Sequence, residues 1–167
     1  KVMVGWQGEG LELGRRLHWE AQRGGLGRAR QVLAVGDGAP WIWNVVGDRW
    51  AGAHQLLDFY HASEHLWTLG EALHPKDEAA RLAWVEPHRH CLRHGQEGAV
   101  LAEIAALPRH RGALGKIIRR EQHYFANHAG RMNYQSLARR GWPIGSGAVE
   151  SGCRTRQCRH KRPGQFW

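Results

Sequence analysis

Two short strand-like segments, residues 31–35 and 53–57, constrain the fold of this chain more than any other feature. The first, an apolar run with β-branched residues bounded by glycines, reads as a buried strand, and the second reads as another strand. The first runs into Gly36-Asp37-Gly38 and the second ends at Asp58. The segment between them, 39–50, reads as a helix with Pro40 tolerated in its first turn. Another helix is predicted over 11–22, stopped by Gly24-Gly25, and helical patterning resumes over 62–73. The order helix, strand, helix, strand, helix predicts a parallel strand pair with a crossover helix, an α/β pattern. Both aspartates then fall at the carboxyl ends of strands, the edge where open α/β sheets bind ligands.

Strand patterning vanishes from about residue 77 to 140. Residues 77–91, 97–107 and 113–131 look helical, separated or interrupted by His74-Pro75, Glu86-Pro87 and Leu107-Pro108. The reading is an all-helical insertion. Gly141-Trp142-Pro143-Ile144-Gly145 forms a loop, and Ser146 is a candidate N-cap for a helix carrying Glu150. The expected organisation is therefore a partial α/β core at 1–76, a helical insertion at 77–140 and a C-terminal core helix with a basic segment at 141–167. Leu13, Leu17 and Trp19 are expected on the inner face of the first helix. Of the nine tryptophans, Trp41, Trp43 and Trp50 are expected to pack the crossover helix on the sheet.

Lys and Arg total 24 against 15 acids, a formal charge of +9. Such an excess favours a polyanionic partner, most simply nucleic acid, over a merely solvated basic surface. No apolar run approaches the ~20 residues that span a bilayer, which argues against a membrane role. The opening residues lack a signal-peptide pattern, and three cysteines, Cys91, Cys153 and Cys158, form no framework. A reduced, cytoplasmic protein is expected. Both ends read as cut: the chain opens at Lys1 on Val2-Met3-Val4, like the end of a strand, and stops at Trp167 after a basic stretch. A portion of a longer protein is expected.

Two acidic motifs suggest chemistry. Gly36-Asp37-Gly38 puts a carboxylate at the sheet edge, between glycines that admit a metal ion, a water or a phosphate. An Asp-Gly turn without further role is the competing reading. Glu150 lies near a helix N-terminus, where the macrodipole alone would favour it. Arg154, Gln157 and Lys161 follow at +4, +7 and +11, on the face that carries Glu150. A carboxylate beside a basic stripe makes sense if the acid holds Mg²⁺ and the stripe holds a DNA backbone. Two hard-oxygen ligands, completed by waters and substrate phosphate, suit Mg²⁺.

Asp58-Phe59-Tyr60-His61-Ala62-Ser63-Glu64-His65 clusters polar groups at a strand-to-helix junction. Asp58 either orients His61 or ligates a metal, or it simply caps a helix beside a hydrogen-bonded histidine. Pro87-His88-Arg89-His90-Cys91-Leu92-Arg93-His94 matches no closed zinc site, and its interleaved arginines repel a cation, so a polar helix end is preferred. Trp84 is read as core, with stacking on an extruded base as the sharper alternative.

Taken in order, these pieces resemble a DDE transposase of bacterial insertion sequences, in the group typified by the ISKra elements and distantly like Mutator-type transposases. The resembling segments are Gly36-Asp37-Gly38-Ala39-Pro40-Trp41-Ile42-Trp43-Asn44 and Leu57-Asp58-Phe59-Tyr60-His61-Ala62-Ser63-Glu64-His65-Leu66-Trp67. They continue with Asn127, Arg131-Met132-Asn133-Tyr134, Pro143-Ile144-Gly145-Ser146-Gly147-Ala148-Val149-Glu150-Ser151-Gly152-Cys153-Arg154, and Arg159-His160-Lys161-Arg162-Pro163-Gly164-Gln165-Phe166-Trp167. The match runs from about Arg30 to the end.

The resemblance implies an RNase H-like fold in which three carboxylates bind two Mg²⁺ ions, with Mn²⁺ able to substitute. Such an enzyme cuts DNA and joins it to a target. Asp37 falls at the second acid and Glu150 at the third, and the helical insertion lies between them. Asp58 and His61 fall at a supporting Cys/Asp-x-x-His element. Arg154, Arg156, Arg159, Lys161 and Arg162 would hold DNA phosphates. The resemblance also implies a homo-oligomer acting on transposon ends and target DNA at the bacterial nucleoid.

One departure stands out. The first acid belongs on an early strand, yet Val2-Met3-Val4-Gly5-Trp6 contains no Asp. The chain as given is therefore expected to be inactive until that acid is supplied. Two rivals follow: a non-catalytic DNA-binding remnant of a transposase, and an RNase H-like nuclease that cuts without transposing.

Overall fold

The computed structural model describes Val4 and residues 7–147. The protein is mixed α/β, mostly helical with a small two-stranded parallel sheet. The described residues fall into two compact units: those up to Ala34, Ala39–His54 and residues 146–147 in one, Val35–Gly38 and Gln55–Gly145 in the other. Among the described residues no helix is long and apolar enough to cross a membrane.

In the first unit, α1 (Gly10–Arg23) packs on α2 (Pro40–Arg49). Two glycines one turn apart make this contact. A Cβ on Gly10 would lie 2.7 Å from Trp41 Cε3, and one on Gly14 would lie 2.5 Å from Val45 Cγ1. Missing side chains on α1 thus form the groove that α2 fills. This corrects the expected inner face. Gly14 is the buried residue of α1, Leu13 and Leu17 are half-buried, and Trp19 is 59% exposed with Arg23 over its ring. The tryptophans of α2 are also redistributed. Trp43 is buried, but Trp41 lies against Gly10, and Trp50 rests beside His18 of α1 with ring centroids 5.8 Å apart. Apolar periodicity missed the α1–α2 seam because glycine carries no apolar side chain to count.

Strands β1 (Leu33–Gly36) and β2 (His54–Leu57) pair directly. The register is set by His54 N–H donating to Val32 O (2.9 Å) and Asp58 N–H donating to Gly36 O (2.7 Å). Both strands therefore end at one edge, with Asp37 and Asp58 just beyond it.

The second unit is built on helices α3 (Phe59–Leu73), α4 (Glu78–Arg93), α5 (Glu97–Ala106), α6 (Gly112–His128) and α7 (Tyr134–Arg139). Helix α3 packs against α4 and α6, and α5 lies against both α4 and α6. Their core holds Leu57, Ala62, Leu66, Leu69, Val85, Leu92, Val100, Ile104, Ile118, Phe125, Met132 and Tyr134. Gly70 admits Val85, whose Cγ2 would lie 2.5 Å from an added Cβ. The Gln122 amide donates to the Ile104 and Ala105 carbonyls (3.0 and 3.2 Å), adding a donor at the end of α5, where backbone acceptors lack their usual intrahelical partners.

Three expectations shift here. Helix α3 begins at Phe59 rather than Ala62, because Asp58 caps it. Pro87 does not break α4, which runs on to Arg93. Proline removes one hydrogen bond, but Val85, His88 and Leu92 bury one face on either side of it and hold the helix together. The short helix α7 was not foreseen. It buries Tyr134 and Leu137, and six residues are too few for a periodic pattern to show.

Candidate functional site

The candidate site is the carboxyl edge of the sheet together with the faces of α3 and α6 beside it. Asp37 leaves β1 as an exposed residue, and Gly38 follows at φ +99°. That backbone conformation and the space both demand glycine. A Cβ on Gly38 would come within 3.0 Å of His128 Nε2 and 3.1 Å of the Tyr124 ring. Helix α6 pins the turn from below: the Tyr124 hydroxyl donates to Asp37 O (3.1 Å), and His128 Nε2 lies 3.0 Å from Gly38 O. His128 Nδ1 is also 2.7 Å from Tyr124 O. The Asp37 backbone is thus fixed by side chains from the helical region, while its carboxylate stays exposed.

Asp58 plays a different part. It is 3% exposed, and Oδ1 accepts the backbone N–H groups of Tyr60 (2.8 Å) and His61 (3.2 Å). These are orphan donors of the first turn of α3, so Asp58 is a helix N-cap. It does not orient the His61 ring, which turns instead to Glu64, with Nδ1 3.0 Å from Oε2. The loop before Glu150 arrives at the same place. Ile144 O accepts the Phe59 N–H (3.0 Å). A Cβ on Gly145 would sit 2.6 Å from the Tyr60 ring and 3.4 Å from Asp58 Oδ1.

Behind this edge lies a polar cluster that pattern reading did not single out. Glu121 has no exposure, and its carboxylate takes Nδ1 of His65 on one side and Nε of Arg120 (2.6 Å) on the other. Burial raises its pKa, but the bonds from His65 and Arg120 outweigh burial and leave it below the ordinary glutamate value. Tyr124 stacks on His65 with centroids 3.5 Å apart. Its hydroxyl is pushed well above the usual tyrosine range, first by burial and then by the negative charges of Asp37, Glu121, Asp58 and Glu64. Four carboxylates therefore lie near enough to this hydroxyl to raise it. One indication was present in the sequence: Glu121 and His128 share a helical face with Ile118 and Phe125, and a carboxylate on an apolar stripe needs a partner.

Of the residues expected to matter, the structure describes Asp37 and Asp58, which follow the ends of the paired strands, and His61, in the first turn of α3. Glu150, Arg154, Arg156, Arg159, Lys161 and Arg162 lie outside the described residues, as do Cys153 and Cys158. Among the described residues no three His, Cys, Asp or Glu side chains gather to hold a metal ion. The histidine-rich stretch after Pro87 closes α4 as a polar helix end. His88 Nδ1 bonds Trp84 O (2.6 Å), and the rings of His90 and His94 stack at 4.0 Å. Trp84 is half-buried with its ring on His88 (4.1 Å). Comparison with protein-family models, with curated proteins and with solved structures finds no match for this chain.

Proposed function

We propose that this chain is the catalytic-core portion of a DDE transposase with an RNase H-like arrangement, cutting and joining DNA at the carboxyl edge of its sheet. One observation carries the reading. The strand-end acid Asp37 and the loop that leads to Glu150 converge on that edge, through the Gly36–Asp58 strand pairing and the Ile144–Phe59 hydrogen bond. The donor chemistry suits Mg²⁺, which takes one or two carboxylates and keeps its remaining positions for water and phosphate. Asp37 and Glu150 would hold it, and the ion would supply Lewis acidity at a scissile phosphodiester. Tyr124 and His128 hold the Asp37 turn in place. Asp58 positions α3 and the Gly145 loop rather than ligating. Arg154, Arg156, Arg159, Lys161 and Arg162 bind DNA phosphates.

Two experiments test this. In the protein supplied with an acid at the first position of the triad, Asp37→Asn or Glu150→Gln abolishes Mg²⁺-dependent plasmid cleavage and leaves DNA binding largely intact. Full cleavage by either variant removes the assignment. In the chain as given, duplex binding weakens with salt. Each neutralised phosphate contributes about −0.9 to the slope of log K against log[salt], so the five cations give about −4.5. Replacing all five by alanine flattens the slope toward zero. The formal charge of +9 favours a second reading, DNA binding without catalysis. A protein that keeps this slope yet never cleaves with the triad complete supports that one.

A further inference from the structure

We propose that His61 and His65 bind a divalent transition cation of the Zn²⁺ or Ni²⁺ class through their Nε2 atoms, at a site separate from the Asp37–Glu150 pair. The two residues are one turn apart on α3, the spacing that puts two imidazoles on one helical face. Each ring is held from behind by a carboxylate: His61 Nδ1 by Glu64 (3.0 Å) and His65 Nδ1 by the buried Glu121. An ionised carboxylate only accepts, so each Nδ1 carries a proton, and in the neutral ring Nε2 is the nitrogen that presents a lone pair. This is the carboxylate–histidine arrangement that fixes the tautomer and raises the basicity of metal-binding imidazoles. Neither Nε2 has a hydrogen-bond partner among the described residues, and neither is sealed from solvent.

The ring geometry agrees. Two Zn–N bonds of about 2.0–2.1 Å meeting at a tetrahedral angle put imidazole centroids about 5 Å apart. The centroids of His61 and His65 are 5.0 Å apart, with the rings inclined at 78°. Tyr124, stacked on His65 at 3.5 Å, keeps that ring from turning away. The pair His90 and His94 has the same spacing but not the same disposition. Those rings lie face to face at 4.0 Å and 24°, nearer than the about 5 Å of two rings on one tetrahedral ion, and His94 Nδ1 is bonded to His90 O. Imidazole ligands select Zn²⁺, Ni²⁺ or Cu²⁺ over Mg²⁺. Two protein ligands leave coordination positions open, which marks an open site rather than a closed structural one.

The test is calorimetric titration of the chelator-stripped full chain with Zn²⁺. The expected result is a binding event whose affinity falls at least tenfold in His61→Ala and in His65→Ala and is unchanged in the His90→Ala/His94→Ala double variant. Glu121→Gln should weaken it by about 10–100-fold. Wild-type affinity in both His61→Ala and His65→Ala overturns the proposal. Because Glu121 is buried and its variant can misfold, imidazole ¹⁵N spectra of the unmutated protein give an independent reading. Zn²⁺ should shift Nε2 of both histidines while Nδ1 keeps its proton. Unmoved Nε2 signals at saturating Zn²⁺ also overturn it. Neither measurement depends on DNA cleavage, so failure here leaves the transposase reading standing, and the reverse holds.

Discussion

Replacing Asp58 separates its capping role from a ligand role. Oδ1 accepts two backbone N–H groups, at 2.8 and 3.2 Å, in a residue that is 3% exposed. Asp58→Ala leaves both donors without their acceptor. Losing an N-cap costs about 0.5–2 kcal/mol, and a buried donor left unpaired costs about 1–3 kcal/mol. Burial places this site toward the upper part of the first range, and part of the second adds, so about 2–3 kcal/mol is expected. At about 2–4 °C per kcal/mol for a chain of this size, the melting temperature falls by about 5–10 °C. Asp58→Asn keeps an oxygen in the same place and loses only the charge at the start of α3, worth about 0.3–1 kcal/mol. Urea denaturation followed by far-UV circular dichroism gives both numbers, with an unchanged slope showing that the unfolded states are comparable. If Asn is as damaging as Ala, or if Ala costs less than about 0.5 kcal/mol, the cap is not what Asp58 contributes. In the protein with its acid triad complete, Asp58→Asn should retain most cleavage. A loss as deep as that of Asp37→Asn would make Asp58 a ligand instead.

Two further substitutions probe the same edge. Gly145→Ala drives a methyl to 2.6 Å from the Tyr60 ring and should cost about 1–3 kcal/mol. Tyr60→Ala in the same chain should recover most of that loss, and no recovery would mean that the ring is not the obstacle. Glu121→Gln should change the pH dependence of stability. The folded pKa of Glu121 lies below its ordinary value of 4.5, so its ionised form stabilises the protein above that pH. The contribution is lost as pH falls through the lower, folded value. The stability gap between wild type and Glu121→Gln should therefore be full near neutrality and close progressively below pH 4.5, as read from thermal melts. A gap that widens on acidification would contradict the His65 and Arg120 pairing.

The local elements were largely legible in the chain, because they rest on short-range physics. The strand-like segments ending in Gly36-Asp37-Gly38 and at Asp58 announced β1 and β2, and helical periodicity announced α1 to α6 to within a few residues. The ambiguity at Asp58 was also visible, since capping and ligation use the same oxygen. Tertiary contact shows the cap, with Tyr60 N–H and His61 N–H on Oδ1. Other features depend on what is absent or distant. Gly10 and Gly14 organise the first unit by lacking side chains, which no count of apolar residues registers. His65 and Glu121 are 56 positions apart, and nothing in either segment names the other. Their pairing exists because α3 and α6 pack together, and burial then obliges a carboxylate on an apolar helical face to find a partner. Periodicity and turn chemistry act over a few residues and can be read along the chain. The partner of a buried charge is chosen by packing, and only the folded molecule shows it.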